Sequence, residues 1–224
     1  MKRLFLVLSL LLGMVTSTVA VSAQVDGVEA PDVPEMEIEG VEFAYSRSYS
    51  VDFMAIMEDP EYDPEDTSAM MRSMSIQGIQ FESEDAANAY MDQNQKALDE
   101  AAAEDPEAMG GIAFSELEGF DVDGMIITMD MPDIGIAMVM VVFADGDQVF
   151  QVSTTEADVD TAKAAAESLI EYIVDNDVQD EEITFNEDGT STGGMFDRMP
   201  AADDELVGDL TTVSDMELIA PGAE

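Results

Sequence analysis

From Met125 to Thr154 the chain reads MIITMDM, IGIAMVMVVFA and QVFQVST, three apolar stretches of strand length divided by Pro132-Asp133 and Asp145-Gly146. Tight turns of these residue types return a strand beside its predecessor, so the stretch predicts an antiparallel meander. A four-residue loop from Pro132 to Gly135 sets Met131 opposite Ile136 and Met129 opposite Met138. One face then gathers Met125, Met129, Met131, Met138 and Met140 with Ile127, Ile136 and Val142. Methionine fills irregular gaps between sheet and helix, which makes these side chains core. The same thioethers are also candidates for a pliable surface that takes a small apolar ligand, or for Cu(I) ligands outside the cytoplasm.

Upstream, Val41, Phe43, Tyr45, Tyr49, Val51 and Phe53 occupy odd positions, against Glu42, Ser46, Ser48, Ser50 and Asp52 on even ones. Period two marks a half-buried strand, and thirteen residues are long enough to predict a bend near Ser46 to Ser48. Arg47 falls on the apolar phase. It reads as a side chain paired with an acid at that bend, or as an anion-binding arginine among tyrosines. A second strand spans Ser73 to Phe81, with Gly78 as a bulge. Ser83 caps a helix running to about Ala103, and IAFSELEGF from Ile112 supplies a further strand before the meander. A second helix follows, capped by Thr155, with Val159, Ala162, Ala166, Leu169, Ile170, Ile173 and Val174 on one face. The strand-to-helix stretches IQFESEDAANAY and FQVSTTEADVDT share a layout, which is the common grammar of such junctions rather than a duplication.

The order β-β-α then β-β-β-β-α predicts one α+β domain over residues 41–176, an antiparallel sheet of about six strands with two helices on one face. Residues 1–23 have the layout of a secretory signal peptide: Lys2 and Arg3, an apolar run, then Val21-Ser22-Ala23. Residues 24–40 read as a flexible tether. Residues 177–224 are acidic and mostly aperiodic and read as a disordered tail, with a sticky patch at Met195, Phe196 and Met199.

Removal of the first 23 residues leaves five cations (Arg47, Arg72, Lys96, Lys163, Arg198) against all 51 acids, a formal charge of −46 in place of −44. Such a field repels nucleic acid and anionic lipid and favours cations or a basic protein partner. The acid-rich, lysine-poor composition resembles that of salt-adapted proteins. No stretch downstream of the signal reaches membrane-spanning length, so the expectation is an exported monomer with no membrane span.

The chain has no histidine and no cysteine. That removes imidazole acid–base work, thiol nucleophiles, disulfides, the usual zinc sites and the common haem ligands. Gly189-Thr190-Ser191-Thr192-Gly193 matches the letters of a nucleophile elbow, but no base is available to take the serine proton. Carboxylate-pair hydrolysis survives on composition alone, and among 51 acids no pair stands out.

The nine residues Glu58 to Asp66, EDPEYDPED, hold six carboxylates, and Asp59, Asp63 and Asp66 with neighbouring carbonyls are candidate Ca2+ ligands. No Asp-Gly turn fits an EF-hand, since the acid required at the first loop position is absent each time. The overall expectation is therefore a secreted, non-enzymatic binding or accessory module without catalytic residues. A Ca2+-responsive secreted protein is the alternative, and an envelope hydrolase the third reading.

Overall fold

The structure, a computed structural model, describes residues 39–58, 68–104, 111–132, 135–176, 183–186, 189–201 and 203–219. Among these residues nine strands and four helices follow in the order β1 (Val41–Ser50), α1 (Phe53–Glu58), α2 (Ser68–Met71), β2 (Ser73–Phe81), α3 (Glu84–Glu104), β3 (Ile112–Glu116), β4 (Asp123–Met131), β5 (Ile136–Asp145), β6 (Gln148–Glu156), α4 (Val159–Asp175), β7 (Thr184–Phe185), β8 (Ser191–Thr192) and β9 (Thr212–Ile219). A 3-10 turn, Gly194–Arg198, lies between β8 and β9. Seven strands form one antiparallel sheet in the order β3-β4-β5-β6-β2-β1-β9, and β7 and β8 make a small ribbon.

The meander is seen as β4, β5 and β6, with Met131 opposite Ile136 and Met129 opposite Met138. Its central strand settles how the sheet is covered. IAMVMVVF in β5 is buried or half-buried on both phases, so each face of the sheet needs a lid. On one face Val139, Val141, Phe143 and Phe150 pack with Ala166, Leu169 and Ile170 of α4. On the other, Met140, Val142, Ile79 and Phe81 pack with Ala87, Tyr90 and Leu98 of α3. The two long helices thus lie on opposite faces, not on one as the element order suggested.

The region expected to be a tail is the second large departure. Met195, Phe196, Met199, Val207 and Leu210 are all buried beside α4, and β9 then adds to the sheet along β1. The apolar patch expected in the tail docks on the domain itself, and the sheet gains its seventh strand from residues beyond the boundary drawn at Asn176.

Three local expectations are also corrected. β1 runs unbroken through Ser46 to Ser48 and stops at Ser50, and α1 begins at Phe53. The N-cap of α4 is Asp158, whose carboxylate accepts from the Thr161 backbone N–H at 2.9 Å and is held below its usual pKa by that bond. Gly78 is not a bulge, since its pairing with β6 continues without a shift. Its bare Cα instead makes room on the α4 face: a Cβ there would lie 2.0 Å from Met195 Sδ and 3.2 Å from Phe150 Cε1.

Gly78→Ala should therefore cost about 1–3 kcal/mol by overcrowding. In a Met195→Ala background the same change should be close to neutral. Urea unfolding of the four variants checks this, and an equal cost in both backgrounds would mean that the strain lies in the strand rather than against Met195.

Candidate functional site

Arg47 is buried in the sheet and every N–H of its guanidinium is spent inside the protein. Nε and Nη2 donate to the two carboxylate oxygens of Asp215, each at 2.7 Å. Nη1 donates to the carbonyls of Met199 and Pro200 at 3.1 and 3.2 Å, and Nη2 to that of Ser191 at 2.5 Å. The Phe196 ring lies under the guanidinium, 5.1 Å from Cζ to its centroid. Burial pulls the pKa of Arg47 down, but the hydrogen bonds and charge of Asp215 outweigh that and leave it raised. With its donors used, Arg47 has no capacity for an outside anion. It is the clasp that holds residues 191–215 against β1.

The other arginines serve the same segment. Arg198 is buried, donates to the Ile173 carbonyl, Gln148 Oε1 and Asp145, and covers the Phe150 ring at 4.6 Å. Arg72 bridges Glu156 at 2.8 Å and Asp209 at 2.7 Å. Lys96 and Lys163 make only exposed pairs along their own helices, with Glu100 and Glu167. Among the described residues three of the five cations thus fasten the C-terminal strap, and neither Lys96 nor Lys163 is placed at a site.

Of the methionines singled out from the sequence, Met125 and Met140 are core, while Met129, Met131 and Met138 are half-buried at the margin of the α3 face. All five share that face, as the hairpin register requires. Asp59, Asp63 and Asp66 lie outside the described residues. Among the described residues no group of three or more acids is arranged to hold a metal.

Beside the methionines lies an arrangement that the sequence reading missed. β1, β2 and β6 are adjacent, and their α3-facing side chains fall into three cross-strand rows: Ser46–Gln77–Gln151, Ser48–Ser75–Ser153 and Ser50–Ser73–Thr155. At about 4.8 Å between strands and about 3.4 Å per residue, this grid covers roughly 10 by 14 Å. Met140 extends the second row and Met138 the third. All nine grid residues are uncharged and polar.

The grid is also where hydrogen bonding fails. Ser46 Oγ, Ser48 Oγ, Gln77 Oε1 and Ser153 Oγ are buried with no hydrogen-bond partner among the described residues. Ser46, Gln77 and Ser153 are 4%, 9% and 6% exposed, so water outside the fold does not satisfy them. On the opposite face the neighbouring Thr154 hydroxyl donates to the Ala162 carbonyl at 2.7 Å. Buried polar atoms are nearly always paired, and four orphans in adjacent rows of one face need an explanation that a scattered set would not.

No protein family matches the chain, and no curated protein matches it. Among solved structures it is similar to the extracellular domain of PknH from Mycobacterium tuberculosis. That match has 12% identity and a TM-score of 0.32 over 45% of this chain and 55% of that one. The chain thus spans about half the length of that domain, and a likeness at this level says nothing about role. The site stands on its own residues.

Those residues did leave a trace in the sequence. Ser46, Ser48 and Ser50 on the polar phase of the first strand look like an ordinary solvated edge. The polar phases of β2 and β6 are of the same kind: Ser73, Ser75 and Gln77, then Gln151, Ser153 and Thr155. A chain with 51 acids dresses water-facing positions in carboxylates, so three stretches of polar phase without one, Ser46 to Ser50, Ser73 to Gln77 and Gln151 to Thr155, mark a face that is not bulk surface. Only the strand order, which brings these three strands together, turns that trace into a site. Among the described residues no helix is long and apolar enough to cross a membrane.

Proposed function

We propose that this protein is a secreted, non-enzymatic binding module with a salt-adapted acidic surface, and that the serine–glutamine grid on the α3 face, with its methionine margin, belongs to that role. The observation that carries the proposal is the cluster of four buried, unpartnered polar atoms in adjacent cross-strand rows. A fold keeps such groups at a cost of about 1–3 kcal/mol each, a cost that a role in binding offsets. The grid holds serine hydroxyls but no base to activate them and no acid pair, and the chain has neither histidine nor cysteine.

The proposal inverts the usual sign of a core substitution. Ser48→Ala and Ser153→Ala should each raise the stability of the ligand-free protein by about 1 kcal/mol, because each removes an orphan rather than a bond. That corresponds to roughly 2–4 °C in Tm for a chain of this size. Thr154→Val, one residue away but with its hydroxyl satisfied, should lower stability by a similar amount. Thermal unfolding by circular dichroism reads all three. Losses at Ser48 and Ser153 matching the loss at Thr154 would mean that the grid hydroxyls are satisfied within the folded protein, and the binding reading would fall.

A further inference from the structure

Where β1 passes into β2, the fold shows an apolar surface that does not depend on the buried rows. Phe114, Phe185, Leu206 and Met216 are exposed singly, each on a different part of the chain. Phe53, Met54 and Met57 of α1 and Met71 of α2 are exposed together, at 53%, 64%, 49% and 41%. Ser50 and Ser73 are paired across β1 and β2. Phe53 follows the one and Met71 precedes the other by two or three residues, so both helices meet the sheet within about 12 Å of that pair.

Local chemistry turns α1 this way. The Asp52 carboxylate accepts from the backbone N–H groups of Met54 and Ala55 at 2.9 and 3.1 Å, which starts the helix, and Ile56 packs against the core cluster that includes Val51. With Ile56 turned inward, Phe53, Met57 and Met54 fall within about 100° of one another around the helix axis. Single exposed apolar side chains need no explanation, but a group of them marks an interaction surface.

We infer that the α1–α2 surface docks a basic amphipathic helix of another protein. The first ground is charge. Asp52 and Glu58 stand exposed at the two ends of α1, and the sequence from 59 to 67 adds five carboxylates and no cation. Arg72, which follows Met71, is engaged with Glu156 and Asp209. The complement of an apolar centre in a negative field is an apolar centre ringed by cations. A second copy brings the same excess of acids and is repelled.

The second ground is side-chain type. Three of the four exposed residues are methionines, unbranched and adaptable, which fit differing apolar shapes without a preformed pocket. The third is backbone. β1 and β2 lie inside the seven-strand order, so the surface offers no free strand edge and a partner must bind through side chains. A helix with apolar residues at every third or fourth position presents them on one face.

Three synthetic peptides of equal length make the test: a leucine–lysine amphipathic helix, its leucine–glutamate counterpart, and a serine–lysine peptide with the charge of the first and no apolar face. Each is titrated at constant ionic strength into the exported protein carrying 13C-methyl methionine. The expected result is saturable movement of the Met54, Met57 and Met71 methyl signals with the leucine–lysine peptide alone, while Met216, exposed on β9, stays put. Affinity, read on Met71, should fall about tenfold or more in the Met54→Ser, Met57→Ser double variant and remain unchanged in Phe114→Ser.

Equal binding of the serine–lysine peptide reduces the contact to charge and overturns the proposal. So does failure of the leucine–lysine peptide to saturate, or an affinity that survives the double serine variant. Movement of the same three methyl signals on raising the protein concentration alone makes the occupant a second copy. Movement with phosphatidylcholine vesicles but not with the peptide makes it a lipid surface, and either result overturns the basic partner.

Discussion

Replacement of Arg47 by alanine should cost about 3–5 kcal/mol, the usual loss when one partner of a buried ion pair is removed. Both side chains of the pair with Asp215 are almost wholly buried, at 6% and 0% exposure, so the stranded carboxylate has no access to water. The carbonyls of Ser191, Met199 and Pro200 lose their donor in the same step, and Phe196 loses its cationic neighbour. Arg47→Lys should cost nearly as much, because an ammonium cannot fork across Asp215 and reach three carbonyls at once. The double change Arg47→Met with Asp215→Leu should recover only part of the loss: it cures the stranded charge and leaves the carbonyls bare. Urea denaturation of the four proteins reads the series. A lysine variant as stable as the parent would reduce Arg47 to a simple charge partner.

Truncation before Gly189 should be more damaging still. Met195, Phe196, Met199, Val207 and Leu210 are each within 2% of full burial, and at about 1.5–3 kcal/mol apiece their loss approaches the whole stability of an ordinary domain. It would also bare Tyr45, Tyr49 and part of α4 and remove β9 from the sheet. The truncated protein should show no cooperative thermal transition and should bind a dye for exposed apolar surface. A sharp transition near that of the parent would restore the view of this segment as a dispensable tail.

Local order was legible in the sequence wherever one strand or helix carried its own evidence. The register of β4 on β5 follows from a loop length and an alternation, and α4 announces itself by seven apolar residues at helical spacing. What escaped depends on partners far along the chain. β9 reads TVSDMELI, with Asp215 and Glu217 on the phase that packs toward Tyr45 and Phe196, so no apolar alternation marks it as a strand. Asp215 makes sense only beside Arg47, 168 residues earlier. The placement of the helices was missed for a related reason: the unbroken apolar run of β5 already implied cover on both faces, but element order was read in its place. The grid is the extreme case, because no single serine in it is unusual and its meaning comes from adjacency across three strands.

The pairing of β1 with β9 also orders events in time. A chain that emerges N-terminus first presents Arg47 long before Asp215 exists, and until then β1 has an open edge and a cation with no counterpart. Contacts of such long sequence separation slow folding and prolong the life of partly built sheets. The strand that opens the sheet must wait for nearly the last described residues to close it. During that interval the clasp arginine holds the domain incomplete, and its surfeit of carboxylates keeps unfinished chains from joining one another.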